Sequence, residues 1–293
     1  MRFTGSYVAL VTPWNKDLSN IDFGALKDLI DWHVESGTDG ILPAGTTGES
    51  ATLTHKEQEE LVRKTVEFVA GRCTVLAGAG SNSTNESVSL AKKAKDAGAD
   101  SILVITPYYN RPTPEGLYRH FATVAENCDL PTMIYNVPAR TGTNIMPETV
   151  LRINRDYPNI FGVKEASGSV DQSSQIINKS GMDVLSGDDS LTLPVMAVGG
   201  KGVVSVIANI APAETKAMCA AALAGDFAKA REWHHKLLPI MKACFVETNP
   251  APVKRALQIM GRIDGRMRLP MVDIMPESET VLIEALRKVG LVK

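Results

Sequence analysis

Residues 36–42 read Ser36-Gly37-Thr38-Asp39-Gly40-Ile41-Leu42, and residues 97–103 read Ala97-Gly98-Ala99-Asp100-Ser101-Ile102-Leu103. The two stretches nearly repeat each other. Each puts a glycine where a helix ends, because glycine takes the left-handed cap conformation without a Cβ clash. Each then runs through an aspartate directly into a short apolar run. That is the junction of a helix with a buried strand, and the question becomes how often the unit recurs.

Working outward, β-branched and apolar runs predict strands at Tyr7–Val11, Gly40–Leu42, Thr74–Ala77, Ser101–Ile105, Thr132–Tyr135, Ile160–Val163, Asp183–Leu185 and Gly202–Val206. Ile102–Ile105 and Val203–Val206 are almost continuously apolar, as strands buried on both faces of a parallel sheet must be. Amphipathic segments of helical length separate most of them, among them Phe23–Glu35, Lys56–Ala70 and Ser87–Ala97. Thr54 followed by Glu57 reads as a capping box, and Thr113-Pro114-Glu115 as an N-cap with proline in the first turn. Gly37, Gly98 and Gly181 mark expected helix ends. Eight such units predict a (β/α)8 barrel; a doubly wound open sheet usually shows fewer strands and a glycine-rich phosphate turn after the first, which is missing here. Beyond about residue 225 the strand signal ends. Phe227–Phe245, Ala251–Met260 and Glu277–Val289 read as helices, broken at Pro250, Pro270 and Pro276. The expected division is a barrel over residues 1–225 and a small helical C-terminal appendage over 226–293.

Hydrophobic residues make up 44% of the 293 and charged residues 22%, with a net charge of -2. This is ordinary for a soluble globular chain and argues against nucleic acid or an anionic membrane as partner. No apolar run approaches the roughly 18 residues of a membrane span. The short apolar stretch near the N-terminus reads as a strand rather than a signal peptide. Cys73, Cys128, Cys219 and Cys244 are widely spaced, which fits reduced thiols and a cytoplasmic setting.

In a barrel of this type the chemistry sits at the C-terminal ends of the strands. There the sequence places Gly45-Thr46-Thr47-Gly48-Glu49 after strand 2, Tyr108 and Tyr109 after strand 4, Tyr135 and then Arg140 after strand 5, Lys164 at the end of strand 6, and Ser186-Gly187-Asp188 after strand 7. A lysine facing the barrel interior is desolvated, its ammonium is disfavoured, and its amine becomes free to attack a carbonyl. The alternative for Lys164 is a charge snorkelling to the surface. Thr46 and Thr47 can hold a carboxylate through hydroxyls and backbone N–H groups, or can cap their own turn. A tyrosine hydroxyl at positions 109 or 135 can relay a proton or simply fill the barrel mouth. Arg140 can grip a carboxylate bidentately or sit in a surface ion pair. His33, His55 and His120 are isolated and His234-His235 diverge on a helix, so a metal is not expected.

Taken together, Gly45-Thr46-Thr47-Gly48-Glu49-Ser50, Thr106-Pro107-Tyr108-Tyr109-Asn110, Tyr135-Asn136-Val137-Pro138-Ala139-Arg140-Thr141-Gly142 and Gly162-Val163-Lys164-Glu165-Ala166 stand in the order and spacing of one family. So do Leu185-Ser186-Gly187-Asp188-Asp189, Gly202-Val203-Val204-Ser205-Val206 and Asn249-Pro250-Ala251-Pro252-Val253-Lys254. The chain resembles the dihydrodipicolinate synthases, pyruvate-dependent class I aldolases, over essentially its whole length. The resemblance implies a Schiff base between pyruvate and Lys164, with Tyr135, Thr46 and Tyr109 as proton relay and no cofactor. It implies Thr46 and Thr47 on the pyruvate carboxylate, Arg140 on that of L-aspartate 4-semialdehyde, and substrate contacts at Gly187 and Val204. The product would be 4-hydroxy-tetrahydrodipicolinate, the first committed intermediate towards diaminopimelate and lysine. It also implies a homodimer in which Tyr109 reaches the neighbouring subunit's site, usually within a homotetramer. A lysine-inhibitor pocket would match Ser50, Ala51, His55, Gln58, Asn82, Glu86 and Tyr108; lysine-sensitive members often carry histidine where Gln58 stands. Sibling enzymes such as N-acetylneuraminate lyase share the lysine, the glycine–threonine loop and the strand 5 tyrosine. Arg140 favours a short acidic aldehyde over a sugar acid. A non-catalytic barrel that senses pyruvate or lysine would be expected to have lost part of this set.

Overall fold

Side chains of a strand alternate between its two faces, so a run buried on both sides must meet two different apolar environments. The chain provides them. The computed structural model describes residues 2–293, and its strands close into a parallel barrel in chain order. They are β1 (Gly5–Ala9), β2 (Gly40–Leu42), β3 (Thr74–Gly78), β4 (Ser101–Ile105), β5 (Thr132–Asn136), β6 (Ile160–Glu165), β7 (Asp183–Ser186) and β8 (Gly202–Ser205). Leu42, Leu76, Leu103, Met133, Tyr135, Leu185 and Val204 fill the interior with Phe3 and Tyr7. Their neighbours Ile41, Val75, Ile102, Val104, Ile134, Val163 and Val184 face outward into the layer beneath the helices. Phe3 stacks on Phe161 with ring centroids 5.2 Å apart and lies against Tyr7, so aromatic rings fill the end of the barrel away from the site.

The outer helices are α1 (Phe23–Glu35), α2 (His55–Val69), α3 (Thr84–Asp96), α4 (Pro114–Asn127), the one-turn α5 (Pro138–Thr141), α6 (Pro147–Asp156), α7 (Val170–Lys179), α8 (Thr192–Ala197) and α9 (Pro212–Leu223). Then come α10 (Phe227–Ala243), α11 (Ala251–Ile259) and α12 (Pro276–Val289). The Thr54–Glu57 capping box forms, and Thr113 caps α4 ahead of Pro114. Leu237, Ile240 and Leu257 and the α12 residues Leu282 and Leu286 belong to the same buried cluster as the barrel's outer face. No helix among the described residues is long and apolar enough to cross a membrane. The four cysteines are free thiols.

Two local expectations change. The first strand lies two residues earlier than its apolar run, because Gly5–Val8 pairs with Gly202–Ser205, whereas Val11 N–H donates to the Asn209 side chain instead of a ladder. Gly181 is not a helix cap: α7 ends at Lys179, Ser180 is extended, and the Ser180 hydroxyl donates to Ile176 O at 2.7 Å. That bond satisfies a terminal carbonyl without a left-handed residue. The helix expected over Phe227–Phe245 forms as α10 and carries Pro239 in its interior without breaking there.

Candidate active site

A cleft of about 590 Å³ opens at the C-terminal end of the barrel, lined by Thr46, Thr47, Tyr135, Arg140, Lys164 and Gly187 together with Asp188, Phe245, Glu247, Thr248 and Asn249. Strand periodicity puts Lys164 there. Val163 points outward, so the next residue of β6 points inward. Parallel register then sets Lys164 beside Tyr135, and Lys164 Nζ sits 4.1 Å from the centre of the Tyr135 ring. The lysine is only 5% exposed. Burial drives its pKa down from 10.5 to about 7, with the Arg140 charge acting in the same direction and Asp189 opposing both. Burial raises the Tyr135 phenol, and the Thr46 hydroxyl and Arg140 partly offset it. The pair therefore offers a substantial fraction of neutral amine beside a protonated phenol near neutrality.

A side chain at position 187 would collide with Ala166 and crowd this lysine. A Cβ there would stand 3.2 Å from both Cγ and Cε of Lys164 and 2.7 Å from Ala166 Cβ, so glycine is required by close approach.

Around the cleft, buried polar groups hold the strand ends in place. Asn136 Nδ2 donates to Glu165 Oε1 at 3.1 Å, and Gln172 Nε2 donates to Glu165 Oε2 at 3.0 Å. This ties β5 to β6 one residue beyond Tyr135 and Lys164. Asp189 accepts from Ser205 Oγ and from the N–H groups of Val206 and Ile207; burial raises its pKa to about 6 against those bonds. The loop after β2 is held by Thr12 Oγ1 donating to Gly48 O at 2.7 Å and by Glu49 N–H donating to Thr46 O.

Glu49 closes that loop with a fully buried ion pair. Lys254 Nζ lies 2.7 Å from Glu49 Oε1 and also donates to Thr12 O and Arg266 O. Trp14 Nε1 donates to the same carboxylate at 3.2 Å, and the Arg268 guanidinium covers the Trp14 ring at 3.8 Å while pairing with Glu57. Spacing in the sequence carries no sign of this pair, whose members are 205 residues apart.

Not every expected residue enters the cleft. Tyr109 is 91% exposed with φ of +69°, a left-handed conformation that strains a residue with a Cβ, and it lies outside its own chain's cleft. Val204 is buried one layer deeper, in the barrel interior. A second cavity of about 350 Å³ is lined by Ser50, Ala51, His55, Gln58, Glu86 and Tyr108 and shares Thr46 and Arg140 with the cleft. His55 Nε2 sits 2.7 Å from Glu86, whose other oxygen accepts from Ser81 Oγ. The Gln58 amide donates to Gly78 O. Asn82 lies outside this lining, with its carbonyl accepting from Asn110 Nδ2.

The Dihydrodipicolinate synthetase family matches residues 2–289. The chain is 51% identical over 293 residues to the 4-hydroxy-tetrahydrodipicolinate synthase of Nitratidesulfovibrio vulgaris strain DP4, covering 99% of this chain and 100% of that one. The crystal structure of the dihydrodipicolinate synthase of Aquifex aeolicus superposes with a TM-score of 0.97 at 48% identity, covering 99% of each chain. The lysine-bound enzyme of Cyanidioschyzon merolae superposes with a TM-score of 0.97 at 41% identity over 100% of both chains. With a buried lysine near the end of the sixth strand and similarity over residues 2–289, the chain belongs to the dihydrodipicolinate synthetase family.

Proposed function

We propose that this chain is a lyase that condenses pyruvate with L-aspartate 4-semialdehyde to give 4-hydroxy-tetrahydrodipicolinate, on the route to diaminopimelate and lysine. The observation that carries the chemistry is the Lys164 amine, buried in the cleft with its pKa lowered to about 7. The amine attacks C2 of pyruvate, and loss of water gives an imine. The iminium draws electrons from the adjacent methyl group, which loses a proton and becomes the enamine nucleophile. The enamine attacks the aldehyde carbon of the second substrate. The amino group of that substrate then attacks C2, closing the ring and releasing Lys164.

Thr46 and Thr47 hold the pyruvate carboxylate and Arg140 that of the semialdehyde, while Gly187 leaves room for the lysine and Val204 packs the layer below. Tyr135 and Thr46 pass the protons, completed by Tyr109 from a second subunit. The exposure and left-handed backbone of Tyr109 suit a residue that serves a partner's cleft, and we place the chain in a homodimer, further paired as a homotetramer, in the cytoplasm. Supplying pyruvate with either L-aspartate 4-semialdehyde or N-acetylmannosamine and following the consumption of pyruvate tests the substrate. Turnover is expected with the semialdehyde and not with N-acetylmannosamine; the reverse preference would move the chain to the sugar-acid lyases.

The lowered lysine pKa sets a pH dependence. Below about pH 7 the folded protein carries the ammonium, which has no lone pair to attack with. The rate of borohydride trapping of pyruvate is therefore expected to fall about tenfold per pH unit below that value and to level off above it. A flat profile between pH 5 and 8 would contradict the burial argument.

The second cavity favours regulation by L-lysine. Glu86 offers a carboxylate to an amino group beside His55, and Thr46 and Arg140 line both cavities, so an occupant touches groups of the catalytic cleft. Millimolar L-lysine is expected to slow turnover, and Glu86→Ala to remove the effect while leaving uninhibited turnover within a few-fold. Unchanged rates at millimolar lysine would end this reading.

A further inference from the structure

The segment Asn249-Pro250-Ala251-Pro252-Val253-Lys254 runs along the loop after β2 and touches it twice. Asn249 Nδ2 donates to Thr47 Oγ1 at 2.9 Å, and five residues on Lys254 Nζ pairs with Glu49 at 2.7 Å. The Asn249 carbonyl also accepts from Arg140 Nη2 at 3.1 Å. One buried residue is thus bonded to both side chains that the reading above places on substrate carboxylates. From this juxtaposition we infer that Asn249 is a positioning residue: it makes the Thr47 hydroxyl a hydrogen-bond donor to the pyruvate carboxylate and fixes the span between Thr47 and Arg140.

A hydroxyl has one proton and two acceptor sites. With Asn249 Nδ2 donating to its oxygen, Thr47 keeps its proton free for an acceptor in the cleft, and that donated bond makes the O–H a stronger donor. A carboxylate is the acceptor that gains most, because hydrogen bonds to charged groups are the strong ones. The other Asn249 atom, Oδ1, is buried without a hydrogen-bond partner. Such an atom is costly, and an apolar residue of equal size at this place would avoid the cost. A role limited to packing does not account for it. Lys254 anchors the same segment to the end of the loop, so the helical region beyond the barrel helps to shape the pyruvate subsite.

The inference rests on the proposed function and predicts a split between binding and turnover. Asn249→Ala is expected to raise KM for pyruvate about tenfold with kcat within about threefold, since the lost bond acts on ground-state and transition-state carboxylate alike. Asn249→Asp keeps the shape but presents an acceptor and a negative charge, and is expected to raise KM about a hundredfold. It also serves if the alanine variant does not fold. In a Thr47→Val background, where no hydroxyl remains to orient, Asn249→Ala is expected to add no more than about twofold. Pyruvate KM within twofold of wild type in Asn249→Asp, or single effects that multiply in the double variant, would overturn the inference. Borohydride trapping of pyruvate by the wild-type enzyme separates the two levels. No adduct on Lys164 overturns both the proposed function and this inference; an adduct with unaltered Asn249 variants overturns this inference alone.

Discussion

Lys164→Ala is expected to lower kcat/KM by at least about 10³-fold, on the order of 4 kcal/mol of transition-state stabilisation, and to abolish the borohydride-trapped pyruvate adduct. The size follows from the mechanism. The lysine forms and breaks the covalent bond, and among the described residues no second lysine lines the cleft. Lys254 is also buried, but it is held by Glu49 and two carbonyls and does not line the cleft. Lys164→Arg should fare no better, because a guanidinium stays protonated and is no nucleophile at neutral pH. Alanine also removes an amine whose charged form burial already disfavours, so the variant is expected to melt no lower than the wild type. Mass spectrometry of the reduced adduct decides the matter: a pyruvate-derived mass persisting in Lys164→Ala would put the Schiff base on another residue.

Lys254→Met is expected to have the largest effect on stability. Lys254 is fully buried, and burial lowers its pKa while Glu49 opposes the shift. Methionine would approximate its volume but leave the buried Glu49 carboxylate with Trp14 Nε1 and a longer contact from the Arg268 N–H at 3.4 Å. Removing one partner of a buried ion pair costs about 3–5 kcal/mol because the other charge is left uncompensated. At about 2–4 °C per kcal/mol for a chain of this size class, the melting temperature should fall by roughly 10 °C. Adding Glu49→Gln should recover part of the loss, since the orphaned charge goes with it. A Lys254→Met variant that melts within about 2 °C of wild type would show that the pair contributes little to the fold.

Local chemistry was readable wherever it acts over a few residues. The Thr54–Glu57 box, the proline at the start of α4 and the glycine ends of α1 and α3 follow from backbone groups that must be satisfied within one turn. Apolar runs separated by amphipathic segments set the count of strands. The end of strand 6, read under the rule that barrel chemistry gathers at strand ends, singled out Lys164. Where a local signal had a rival partner, it misled. The run to Val11 looked like strand, yet Val11 N–H leaves the ladder for the Asn209 side chain, 198 residues away. Gly181 looked like a cap, yet Ser180 satisfies the carbonyl instead.

The sequence by itself therefore determined the β/α repeat, the strand that carries the lysine and the loops that face it, because each depends on periodicity and spacing between near neighbours. The tertiary structure alone decided the lowered lysine pKa, the buried Lys254–Glu49 pair and the Asn249–Thr47 bond across 202 residues. These depend on desolvation and on contacts that exist only once the barrel has closed and the C-terminal segment has folded onto its rim. No spacing along the chain encodes the distance between groups so far apart.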